Sequence, residues 1–236
     1  MNYLFRGECI NYEFCGGKLH TILFLHGWGG NKFSFAKTME LFKKNFNVLS
    51  LTMPTTSPTN LVWNLHLFAE LAENLLMLHN IQSCFVVCHS FGFRVASLMK
   101  KNLIKAIVVT GGAGLRTKNI FTRIERENKT ILSRNSKFKA LHQNLASMDY
   151  VSLSKTNQQT FKNVVNLNTL PCTKFNCPIL LFWGKNDTET PLWIAKKVQK
   201  INKCKLIVTK GNHFAYLQQN ALFNNALLGF FNDIVN

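Results

Sequence analysis

The sequence predicts an α/β fold, a mostly parallel sheet covered by helices on both faces and carrying a helical insertion. Three observations point there. Short apolar runs alternate with stretches of helical period, the pattern of strands joined by crossover helices. That rhythm stops at about residue 115 and resumes at about 176. Finally, 236 residues, 47% of them hydrophobic, suit one sizeable core with an insertion better than two independent domains.

The elements follow in order. Thr21–Leu25 reads as a buried strand, and 33–44 carries an apolar stripe (Phe33, Ala36, Met39, Leu41) that predicts a helix. Asn47–Leu51 is the next strand; the breakers Pro54-Thr55-Thr56-Ser57-Pro58 then separate it from a helix over 60–79. Cys84–Val87 is the central strand, followed by a helix from Ser90 to about Lys101. Ala106–Val109 is a strand closed by Gly111-Gly112. Pro178–Phe182 resumes the alternation, with a helix over 191–201, a last strand at Lys205–Val208 and a closing helix over 215–234. The core is therefore 1–114 with 176–236, and 115–175 is a polar, basic, helix-tending insertion.

Composition narrows the function. No basic stretch followed by a long apolar run opens the chain, and no run of 18 apolar residues is present, so we expect a cytoplasmic protein without a transmembrane segment. Seven cysteines at irregular spacing read as reduced structural thiols. Cys172 and Cys177 lack a matching Cys or His pair, so no metal is expected. The net charge is +17, and four of six arginines (Arg116, Arg123, Arg126, Arg134) fall in the insertion. Such a field either attracts an anionic substrate or acidic partner, or is a solvated helix face. No nucleic-acid motif and no interleaving of basic with aromatic residues accompanies it, so nucleic acid is not an expected partner.

The chemistry concentrates at strand ends. Cys88-His89-Ser90-Phe91-Gly92 joins the central strand to a helix, and a serine at such a turn is exposed as a nucleophile. A serine needs a base, an acid to orient it and donors for the oxyanion. Asp187 is one of only three aspartates and follows the strand ending at Phe182; its other reading is a cap for the helix near Pro191. Glu189, two residues on, is a possible substitute. His213 follows the last strand in Lys210-Gly211-Asn212-His213, whereas His89 should point away from the Ser90 hydroxyl. The chain order Ser90, Asp187, His213 is the one this scheme expects. The Phe91 N–H and, from the loop His26-Gly27-Trp28-Gly29-Gly30, the Trp28 N–H are the expected oxyanion donors.

Together these segments resemble the α/β-hydrolase superfamily over nearly the whole chain. His-Gly-Trp-Gly followed by His-Ser-Phe-Gly is similar to small bacterial carboxylesterases, including a type acting on an acyl carrier protein, whose acidic surface would suit a basic insertion. The resemblance implies an eight-stranded sheet, a helical cap (lid) at 115–175, and hydrolysis through an acyl-enzyme with no cofactor. Three departures stand out: Cys88 replaces the first elbow glycine, Phe93 a glycine after the nucleophile, and Leu51–Thr56 lacks the acid and glycines usual there.

The expected activity is thus a serine esterase on a small-molecule or acyl substrate. Trp28, Phe121, Phe161 and Phe214 are candidates to line its site, although such residues are more often cap core. A thioesterase, C–C hydrolase or acyltransferase would share the same triad. A catalytically lapsed binding module is the reading from another class.

Overall fold

The computed structural model describes residues 1–114 and 153–235. Its eight strands are β1 (Asn2–Phe5), β2 (Glu8–Cys15), β3 (Thr21–Leu25), β4 (Asn47–Leu51), β5 (Cys84–His89), β6 (Ile104–Thr110), β7 (Ile179–Gly184) and β8 (Lys205–Thr209). They form one sheet in the order β1-β2-β4-β3-β5-β6-β7-β8. The first two pairings are antiparallel and all the others parallel. Every residue of β3, β4 and β5 is buried, as strands covered on both faces require.

The helices are α1 (Ala36–Phe42), α2 (Leu65–Leu78), α3 (Phe91–Leu98), α4 (Lys155–Asn166), α5 (Leu192–Asn202), α6 (Ala215–Gln218) and α7 (Asn220–Val235). Side chains of successive strand residues alternate between two apolar layers. Leu23, Val86, Val109 and Leu181 join Phe68, Leu75, Val95 and Ile194 of α2, α3 and α5 on one face. Phe24, Phe85, Val108 and Phe182 join Met39, Tyr216, Phe223 and Phe231 of α1, α6 and α7 on the other. None of the described helices is long and apolar enough to cross a membrane.

Several boundaries depart from expectation for local reasons. Residues 60–64 are not helical: Asn64 is the N-cap of α2, its side chain accepting from Leu67 N–H at 3.0 Å. The helix after Ser90 stops at Leu98, where Met99 turns extended. The closing helix is two helices, α6 and α7, parted at Gln219. The hairpin β1–β2, which periodicity did not reveal, turns on Arg6 and Gly7, both at positive φ.

Residues 115–152, with Phe121 and the basic cluster, lie outside the described residues. Within the described part of the expected cap, α4 lies against the segment between β4 and α2. Thr160 Oγ1 accepts from Trp63 N–H at 2.9 Å, and Asn157 Nδ2 donates to Ser57 O at 2.8 Å. Arg94, on α3 one turn beyond Ser90, donates to Val164 O and Leu167 O at 3.1 and 2.8 Å, satisfying carbonyls at the end of α4.

Candidate active site

Ser90 directly follows β5 and precedes the first residue of α3, with φ 47° and ψ −111°. A non-glycine residue rarely adopts a positive φ, and such strain persists only where the surroundings enforce it. Here Ser90 N–H donates to Thr110 O at 3.1 Å, while Ser90 O accepts from the N–H groups of Phe93 and Ala113 at 3.1 and 3.0 Å. The sharp turn brings α3 hard against the end of β3. A Cβ on Gly92 would lie 2.2 Å from Leu25 O, so no larger residue fits there.

Two of the departures from the family pattern are absorbed locally. Cys88 is buried in the sheet and directs its Sγ at Val108 O, 3.5 Å away. Burial also pushes its thiol well above the ordinary range, as for an inert core cysteine. Phe93 fits because position 112 is glycine: a Cβ there would come within 2.8 Å of the Phe93 ring. Phe93 thereby joins the core and stacks on Phe175.

The third departure, the loop after β4, is bound to the glycine loop after β3. His26 is fully buried and accepts from Met53 N–H through Nε2 at 2.8 Å. Its proton must then sit on Nδ1, which donates to Gly27 O at 2.6 Å. Desolvation lowers its pKa to about 4, so the ring stays neutral and locks both loops together. Thr55 Oγ1 accepts from Gly29 N–H and Thr52 Oγ1 from Lys32 N–H, both at 3.1 Å. Threonine hydroxyls thus tie the loop after β4 to the glycine loop after β3.

The glycine loop reaches Ser90: a Cβ on Gly27 would lie 3.4 Å from the Ser90 Cβ. The backbone N–H groups of Trp28 and Phe91 have no acceptor among the described residues. The Trp28 ring packs edge-on against Phe91 at 5.5 Å and against Phe161 of α4 at 5.1 Å. Three of the sequence-predicted residues are therefore neighbours.

Across the rim, His213 and Asp187 meet. His213 Nδ1 lies 3.0 Å from Asp187 Oδ2, and both side chains are almost wholly buried. Asp187 Oδ1 also accepts from Glu189 N–H and Thr190 N–H at 3.0 and 2.8 Å. Burial alone would raise the Asp187 pKa, but the hydrogen bonds from His213 and Thr190 outweigh it and the carboxyl is held below its ordinary value. An ionised Asp187 keeps the imidazole proton on Nδ1 and leaves Nε2 free as a base.

Thr190 was not foreseen from sequence. Its hydroxyl donates to Asp187 Oδ2 at 2.8 Å and lies 3.2 Å from His213 Nδ1, while its carbonyl accepts from the buried Trp183 indole at 2.7 Å. The available signal was a threonine three residues after an aspartate at a strand end, the spacing of a side-chain-closed turn.

His89, Phe214 and Glu189 complete the surroundings. His89 donates from Nδ1 to Thr110 O at 3.0 Å and packs its ring 4.6 Å from that of His213. Burial, then the neighbouring imidazole, lowers its pKa to about 3. It is a neutral ring packed against that of His213. Gly111, next to the Thr110 carbonyl that holds Ser90, abuts the His213 ring. Phe214, half exposed, packs its ring 5.4 Å from both imidazoles. Glu189 does not share Asp187's place at Nδ1; its Oε2 lies 3.4 Å from the opposite ring nitrogen, Nε2. Ser90 itself is half-buried.

Residues 22–226 match the family model described as the alpha/beta hydrolase family. Among solved structures, the chain is similar to MGS-M2, an alpha/beta hydrolase enzyme from a Medee basin deep-sea metagenome library (19% identity, TM-score 0.77, covering 98% of this chain and 97% of that one). It is also similar to the enol-lactonase of Burkholderia xenovorans LB400 (11%, TM-score 0.76, 98% and 100% covered). A third likeness is to a carboxylesterase structure from the ammonia-oxidizing thaumarchaeon Nitrososphaera gargenis (17%, TM-score 0.73, 96% and 95% covered). No curated protein sequence matches the chain.

Proposed function

The chain belongs to the alpha/beta hydrolase family, and on that premise we propose that it is a serine hydrolase cleaving a carboxylic ester through Ser90, His213 and Asp187. The observation that carries the reading is the pairing of a strained, partly exposed Ser90 at the β5–α3 turn with a buried Asp187–His213 hydrogen bond on the same rim. Carboxylesterase and lactonase activities among structures of this fold agree with it, since a lactone is an internal ester.

In this mechanism the Ser90 Oγ turns onto His213 Nε2 when substrate binds, as catalytic hydrogen bonds that are loose in the free enzyme commonly tighten in the complex. Nε2 takes the hydroxyl proton as Oγ bonds to the carbonyl carbon, and the carbonyl electron pair moves to oxygen. The Trp28 and Phe91 N–H groups hold that oxyanion, each supplying about 3 kcal/mol. Collapse breaks the bond to the leaving oxygen, which departs with the proton from Nε2. Water then repeats the sequence on the acyl-enzyme and releases the acid. No cofactor enters these steps.

The insertion 115–175 is read as a cap, with Phe161 and Trp28 on the acyl side. Its basic residues would favour an anionic acyl group or one borne by an acidic carrier protein. The test is hydrolysis of p-nitrophenyl esters of increasing acyl length. Turnover by the wild type, lowered about 10⁴-fold or more in His213→Ala, is expected. Full activity in that variant removes His213 from the mechanism.

A further inference from the structure

The unexplained group at the site is Glu189. Asp187 holds the Nδ1 proton, so in the neutral ring Nε2 carries a lone pair, and a carboxylate oxygen 3.4 Å away gains no hydrogen bond from it. The Glu189 side chain is 63% exposed, so its oxygens remain open to another donor. Phe214 packs against the same imidazole and is 45% exposed, a large aromatic side chain partly open to solvent. A carboxylate and an aromatic side chain that both contact one imidazole offer the chemistry that recognises an ammonium group.

Chemistry says which end of the substrate would meet them. His213 Nε2 delivers its proton to the departing oxygen, so whatever stands next to Nε2 stands next to the leaving group. We propose that Glu189 and Phe214 form a leaving-group subsite that selects esters of alcohols carrying a cationic ammonium group. The inference rests on the serine-hydrolase reading and adds the class of alcohol to it.

The size of the effect follows from exposure. Carboxylates this accessible are screened, and exposed ion pairs are weak, so a preference of about fivefold is expected rather than orders of magnitude. It should shrink at high salt, leaving the smaller aromatic contribution.

The test compares kcat/KM for three acetate esters: of 2-(trimethylammonio)ethanol, of its neutral isostere 3,3-dimethylbutanol, and of glycolate. At low salt the wild type is expected to prefer the cationic over the neutral ester about fivefold and to disfavour the anionic one. In Glu189→Gln the cationic-to-neutral ratio should fall to about that of the aromatic contribution alone, and in Phe214→Leu it should fall in part. Glu40→Gln, on an exposed glutamate paired with Lys43 in α1's vicinity, should keep the wild-type ratio. Equal rates for cationic and neutral esters, an unchanged ratio in Glu189→Gln, or an equal drop in Glu40→Gln overturns the subsite while leaving the esterase reading intact. Failure to hydrolyse any of the three esters or any p-nitrophenyl ester overturns both.

Discussion

Around Ser90 the rim is shaped by backbone, and around His213 it is shaped by side chains. On the nucleophile side, a positive φ, a glycine against Leu25 O and a web of main-chain hydrogen bonds set the geometry. Its two histidines, His26 and His89, are buried, neutral and bonded to main-chain groups. On the acid–base side one histidine meets one aspartate, and a threonine hydroxyl touches both. The difference matters for what can vary. A turn built from backbone tolerates changes such as Cys88 and Phe93 but not a larger residue at Gly92. A hydrogen-bonded trio tolerates little change in its polar atoms.

The largest effect that distinguishes the two sides is on acid stability. The folded pKa values of His26 and His89 are about 4 and about 3, against an ordinary 6.5. Protons therefore bind the unfolded chain first as pH falls. The stability these rings contribute is complete above about 6.5 and is lost on descending toward the folded values. By a pH of about 4.5 each should have withdrawn about 2.5 kcal/mol. Asp187, held below its ordinary 3.8, keeps its contribution above that value and loses it only at lower pH, so it adds little in this window. Urea unfolding at pH 7.5 and 4.5 measures the difference; a loss below about 1 kcal/mol contradicts the neutral-lock assignment.

Next in size is Gly92→Ala. Its Cβ would meet a backbone oxygen at 2.2 Å, which no side-chain rotation relieves, and the expected destabilisation is about 3 kcal/mol. A change of a few tenths in the unfolding free energy would show that α3 is free to retreat from β3.

The smallest effect sharpens the acid–base side. Thr190→Val keeps shape but removes the donor to Asp187 Oδ2, and kcat should fall about tenfold with KM little changed. Thr190→Ser should restore most of the loss. Equal losses in Val and Ser variants would assign Thr190 to packing alone.

The same contrast explains what the sequence revealed. Thr21–Leu25 and Asn47–Leu51 were legible to the residue because fully buried parallel strands are continuous apolar runs between turn residues. The hairpin β1–β2 was not, since residues such as Glu8, Asn11 and Glu13 interrupt any apolar run and the eight-strand count rested on family resemblance. Ser90, Asp187 and His213 were singled out because strand ends in a parallel sheet converge, and the structure brings Asp187 and His213 together. Thr190 was not, because its contact with His213 arises only when the turn after β7 folds back beside the loop after β8; Glu189 was noted only as a substitute acid, and its place beside Nε2 arises from the same folding back. The tautomer of His26 was likewise out of reach, being decided by Met53 on another loop.

The central claim, that Ser90 is an activated nucleophile, is tested most directly with a fluorophosphonate probe followed by mass mapping of the adduct. One covalent adduct on Ser90, absent from Ser90→Ala, is the predicted result. An unlabelled wild type, or an adduct that persists in Ser90→Ala, would contradict the account.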